Sequence, residues 1–65
     1  MIRTVIRLRN NMVMVFDAEG EQIPEYQGQY ENVKERILRD APTEVAFNHW
    51  FGLSLEPKAV SEKSW

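Results

Sequence analysis

His49 is the one side chain in this sequence whose ordinary pKa places proton exchange near neutral pH, so any general acid or base chemistry has to start there. The hydroxyls it could activate are Ser54, Ser61 and Ser64, and none of them lies in the strained strand-to-helix turn that presents a nucleophilic serine. A lone histidine among aromatic residues reads better as a packed or hydrogen-bonded structural group. Glu19, Glu21 and Glu25 are near enough in sequence to face one another across a turn, but the ligand spacing of a calcium loop is missing. Gly20, Gly28 and Gly52 stand apart, which leaves no glycine-rich phosphate cradle. With no cysteine in the chain and no thiolate partner for His49, neither a disulfide nor a structural zinc is expected. The residues therefore predict a non-catalytic protein with no metal and no cofactor.

Binding chemistry is better represented. Arg7 and Arg9 offer charge-assisted hydrogen bonds to an anion, and Trp50 offers a ring on which a base can stack, so the three together would suit a nucleotide. Arginine, methionine and aromatic residues also compose the core of protein interfaces. Nucleic acid is not an expected partner. The formal net charge is -2, and three arginines on one strand, Arg3, Arg7 and Arg9, neutralise too few phosphates.

The elements that must position these groups follow from periodicity. Ile2, Thr4, Ile6 and Leu8 alternate with Arg3, Val5, Arg7 and Arg9, which predicts a strand with two chemically different faces. Asn10-Asn11 suits a two-residue turn because asparagine tolerates positive φ, and Met12 to Asp17 then returns as a second strand. A turn at Asp17-Ala18-Glu19-Gly20 leads to a short extended piece around Gln22 and Ile23. Tyr26, Tyr30, Val33 and Ile37 form one apolar stripe and predict a helix of about four turns, closed by Asp40-Ala41-Pro42. Val45, Phe47, His49 and Phe51 alternate with Ala46, Asn48 and Trp50 as a further strand. The expected fold is α+β: a hairpin-based antiparallel sheet of three or four strands with one helix on one face. Residues 1–52 would form the domain and residues 53–65 an extended C-terminal arm.

A two-residue turn sets Leu8 opposite Val13 and Ile6 opposite Val15, making these four the floor beneath the helix. The other face then gathers Val5, Arg7, Arg9, Met12, Met14 and Phe16, joined by Asn48 and Trp50. On this reading Arg7, Arg9, Met14, Phe16 and Trp50 meet a protein partner or a small anionic ligand, and Val5, Met12, Met14, Phe16 and Trp65 meet a second copy. The competing expectation is that the arm folds back over the patch through Val60 and Trp65.

Size favours self-association. The 65 residues have a globular composition, 43% hydrophobic, yet a domain this short buries only ~60% of the surface of its unfolded chain, so a homo-oligomer is expected. Charge is polarised between a basic first strand and an acidic middle carrying Asp17, Glu19, Glu21, Glu25 and Glu31, a pattern able to orient two subunits or steer an anion. Met1 to Arg9 reads as a charged strand rather than a signal peptide and no long apolar run follows, so a cytoplasmic protein with no membrane partner is expected.

Overall fold

The computed structural model describes residues 1–52 and 55–65. Five strands, β1 (Thr4–Leu8), β2 (Met12–Phe16), β3 (Gly28–Gln29), β4 (Ala46–Trp50) and β5 (Lys58–Val60), form one sheet in the order β3-β2-β1-β4-β5. One helix, α1 (Tyr30–Asp40), packs across it. The fold is α+β, as periodicity predicts. The sheet is mixed rather than antiparallel, since β4 pairs parallel to β1, and it exceeds the expected three or four strands because Gly28–Gln29 pairs with β2, and Lys58–Val60, within the expected arm, pairs with β4.

The β1–β2 connection departs from the expected turn. Its loop has three residues, Arg9, Asn10 and Asn11, closed by the Asn11 N–H donating to the Leu8 carbonyl at 2.9 Å. Only Asn11 takes positive φ, at 69°. A turn followed by one left-handed residue is the usual three-residue solution, whereas the two-residue type I′ turn requires positive φ at both central residues. Asn10 supports it by accepting the Met12 N–H on its side-chain oxygen at 3.1 Å.

That one residue changes the faces. Val5 stands opposite Val15, Arg7 opposite Val13 and Ile6 opposite Met14. Because side chains alternate strictly along a strand, a one-residue slip moves one whole strand's set to the other side of the sheet. The helix therefore rests on Val5, Val13 and Val15, with Val33 and Ile37 above them and Phe47 beside them. Ile6 and Leu8, expected beneath the helix, lie on the opposite face; Ile6 is only 8% exposed but belongs to no part of the helix-side core. Val5, expected at an oligomer interface, is 0% exposed in the core.

The helix begins later than the stripe predicts. Pro24–Tyr26 forms a single 3-10 turn, and α1 starts at Tyr30 after Gly28, whose φ of 146° is a conformation that side-chain-bearing residues rarely adopt. Glu31 in the first turn and Arg39 in the last complement the helix dipole, and Pro42 follows the capping N–H of Ala41. The Tyr30 N–H donates to the Asn11 carbonyl, which ties the helix start to the hairpin loop. Eleven residues of helix span about 16 Å, close to the length of one five-residue strand. The chain thus returns to the opposite end of the sheet, where the Ala46 N–H donates to the Arg3 carbonyl and β4 runs parallel to β1.

Candidate binding surfaces

The helix-side face ends at a polar and aromatic cluster beside the hairpin loop. Arg7 lies at the edge of that face, with its guanidinium carbon 3.5 Å from the centroid of the Tyr30 ring. Its Nε and Nη2 donate to the Asn11 side-chain oxygen at 2.9 and 2.7 Å, and its Nη1 donates to the Trp65 backbone oxygen at 2.8 Å. Asn11 in turn donates from Nδ2 to Glu31 at 2.6 Å. Each nitrogen of this guanidinium donates one hydrogen bond within the chain. Arg7, expected to face outward toward a ligand, is instead a fastener between hairpin, helix and tail.

Trp65 is the other half of this fastener. Beyond β5 a turn held by the Ser64 N–H on the Ser61 carbonyl brings the tail back beneath the helix, and the Trp65 ring is 3% exposed. It meets Tyr30 edge to face at 5.2 Å and Phe47 tilted at 5.1 Å, both favourable arrangements for aromatic quadrupoles. The tail does fold back, but onto the helix side rather than over the open sheet face. Trp65, expected on an exposed interface patch, packs in the core instead.

His49 belongs to the same cluster. Its Nε2 lies 3.3 Å from the Trp65 oxygen, a donor position for the Nε2–H tautomer, and its ring stacks on Phe51 at 4.2 Å. Phe51 itself is 42% exposed rather than turned inward. Ser61 and Ser64 hydrogen-bond to each other, and Ser54 lies outside the described residues. The carboxylates considered for metal or acid–base work are also separate. Asp17 accepts the Glu19 and Glu21 N–H groups at 3.0 and 2.9 Å, which makes it a turn residue. Among the described residues no three His, Asp or Glu side chains gather at a metal-binding distance.

The opposite face of the sheet is where most expected binding residues meet. The register places Thr4, Ile6 and Leu8 of β1 beside Met12, Met14 and Phe16 of β2 on one flank and Ala46, Asn48 and Trp50 of β4 on the other. No helix or strand among the described residues packs on this face. Met12, Met14, Phe16, Leu8 and Trp50 on this face are half-buried. Leu8, Arg9, Asn10, Trp50 and Gly52 line an open concavity of about 680 Å³ at the hairpin-loop end of the same face. Arg9 and Trp50 therefore come together as expected, while Arg7 and Val5 lie on the other side of the sheet. Sequence patterning placed Ile6 and Leu8 beneath the helix rather than on this face; the second asparagine of the loop, free to take positive φ after an ordinary turn, was the signal available for the longer connection.

No helix among the described residues is long and apolar enough to cross a membrane. No protein-family model matches the chain, and no curated protein or solved structure shows significant similarity to it.

Proposed function

We propose that this chain is a non-catalytic binding module that associates with itself through the open face of its sheet. One observation carries this reading: the half-buried Leu8, Met12, Met14, Phe16 and Trp50, with the buried Ile6 among them, form an apolar row on a face that α1 does not reach. Exposed apolar patches of this kind on small domains mark interaction sites, and methionine with aromatic residues is the composition of interface cores. A domain of this size gains much of its missing burial from a partner.

Sedimentation equilibrium at micromolar concentration tests the proposal. The expected result is an oligomer, converted by Phe16→Asp to a folded monomer, because an interface cannot desolvate an unpaired carboxylate without a large penalty. A wild-type monomer would overturn it. The concavity shared by Arg9 and Trp50 favours a second reading, an anionic planar ligand such as a nucleotide with its phosphate on Arg9 and its base on Trp50. The same sedimentation run separates the two, since a bound nucleotide carries its own absorbance with the protein boundary.

A further inference from the structure

The concavity at the hairpin-loop end of the open face has an uneven chemical lining. Leu8 and Trp50 are partners in the parallel register of β1 and β4, and Arg9 and Asn10 follow Leu8 directly into the loop, so two polar side chains stand beside one indole ring. Arg9 is exposed and has no hydrogen bond or ion pair among the described residues. The Asn10 side-chain oxygen already accepts the Met12 N–H at 3.1 Å, which leaves its amide nitrogen, with two N–H groups and no partner among the described residues, as the group it can offer a ligand. No carboxylate lines the concavity among the described residues, and Gly52 adds no side chain. The polar lining thus offers donors, one of them charged.

From this we infer that the concavity selects a free purine nucleoside monophosphate, read as one ring face on Trp50 and one phosphate shared by Arg9 and Asn10. The inference rests on the ligand reading of the concavity and adds which nucleotide it takes and Asn10 as a second anion donor. Donors without a facing acceptor hold an anion and give a cation nothing to bind. Adjacent strands lie about 4.8 Å apart, so a ring on Trp50 and an anion on the two residues after Leu8 are separated by no more than the length of one mononucleotide. Recognition ends with the first phosphate. Arg9 is the one cation in the described lining, and without a carboxylate there the site cannot share a magnesium ion with a polyphosphate. The concavity is open, so the ring stacks on one side only and binding grows with ring area, which favours a purine over a pyrimidine.

Isothermal titration of the full chain with adenosine monophosphate, adenosine, inorganic phosphate, adenosine triphosphate without magnesium and a short oligoadenylate tests this. Adenosine monophosphate should bind at one site per chain, with adenosine and phosphate each weaker by roughly tenfold or more, because each lacks one of the two contacts. The triphosphate should bind within about threefold of the monophosphate, since its added phosphates meet no further cation. Arg9→Ala should reduce the monophosphate to the affinity of adenosine. Asn10→Asp keeps the oxygen that accepts the Met12 N–H and removes the amide N–H groups, so it should weaken the monophosphate and leave adenosine unchanged, with the melting curve of each variant showing that the fold is intact. A triphosphate bound roughly tenfold more tightly than the monophosphate, or an Asn10→Asp variant with wild-type affinity, overturns the inference while leaving a nucleotide site at Arg9 and Trp50. An oligoadenylate bound more tightly by the same factor assigns the site to single-stranded nucleic acid and overturns it as well. No saturable binding of adenosine monophosphate removes the ligand reading and this inference with it.

Discussion

Arg7 and Arg9 are neighbours on one strand in sequence, yet the backbone commits them to different tasks. The Arg7 guanidinium covers the Tyr30 ring and donates three hydrogen bonds within the chain, whereas Arg9 is exposed beyond the end of β1. Hydrogen bonds to a charged group contribute roughly 1.5–3 kcal/mol, and a cation over an aromatic face adds about 0.5–1 kcal/mol at a partly exposed site. Replacing Arg7 with alanine should therefore lower the unfolding free energy by about 2–3 kcal/mol, while Arg9→Ala should stay within about 0.5 kcal/mol of wild type. Arg7→Lys should recover little, because an ammonium has neither the planar fork for Asn11 nor the flat stack on Tyr30. Urea denaturation of the three variants measures this, and coincident midpoints for Arg7→Ala and Arg9→Ala would remove Arg7 from its fastening role. His49 and Trp65 share the logic: their chemistry as residue types points to function, and their contacts turn it toward the fold.

At the level of elements, a small polar strap ties the 3-10 turn to the end of the helix. Tyr26 donates its hydroxyl to Asp40 at 2.7 Å, and Arg39 donates to the same carboxylate at 3.0 Å. The hydrogen bond from Arg39, then that from Tyr26, holds the Asp40 carboxyl below the ordinary aspartate value. The bond to Asp40 chiefly, with some burial, pushes the Tyr26 hydroxyl above the ordinary tyrosine value. The signs define a pH window. A carboxyl with a lowered folded pKa contributes stability above its unfolded pKa and loses it as pH falls through the folded value. A tyrosine with a raised folded pKa contributes below its unfolded pKa and loses it as pH rises through the folded value. Tyr26→Phe should therefore lower the melting temperature between those limits, with the difference from wild type closing in acid as Asp40 protonates and in alkali as Tyr26 ionises. Melting curves across the pH range show this directly. A difference independent of pH would assign the loss to packing of the ring instead.

The whole molecule depends on a residue far from the others in sequence. Trp65 fills the space between Tyr30 and Phe47, its oxygen receives Arg7, and it closes the helix-side core that α1 alone leaves open at one end. Truncating a buried tryptophan costs about 3–5 kcal/mol, a large share of the stability of any small domain. Trp65→Ala should accordingly lower the melting temperature even at dilutions where no oligomer survives. If it weakened only self-association and left the dilute monomer's melting curve unchanged, the ring would be an interface residue after all. Phe16→Asp should behave in the opposite way, affecting assembly more than the dilute monomer. The buried Trp65 and the half-buried Phe16 thus separate core from contact surface.

The fold class, the helix stripe through Val33 and Ile37, the helix stop before Pro42 and the alternation of the first two strands and of β4 are local properties, and the amino-acid sequence determined them through periodicity and backbone preference. It also marked Arg7, Arg9, Met14, Phe16 and Trp50 as binding types; Met14, Phe16 and Trp50 share the open face, Arg9 lies in the loop at its rim, and Arg7 lies on the helix side. What local pattern did not determine was which side of the sheet faces the helix. An alternating strand offers two self-consistent faces, and both β1 and β2 are apolar enough on each side to serve as the floor. One residue of loop length, a third loop residue made possible by positive φ at Asn11 alone, decided the matter and sent Val5 and Arg7 inward and Ile6 and Leu8 outward. The position of Trp65 was likewise set only in three dimensions. Its place depends on β5 pairing antiparallel to β4 and on a gap between Tyr30 and Phe47 that exists only once the helix has crossed the sheet.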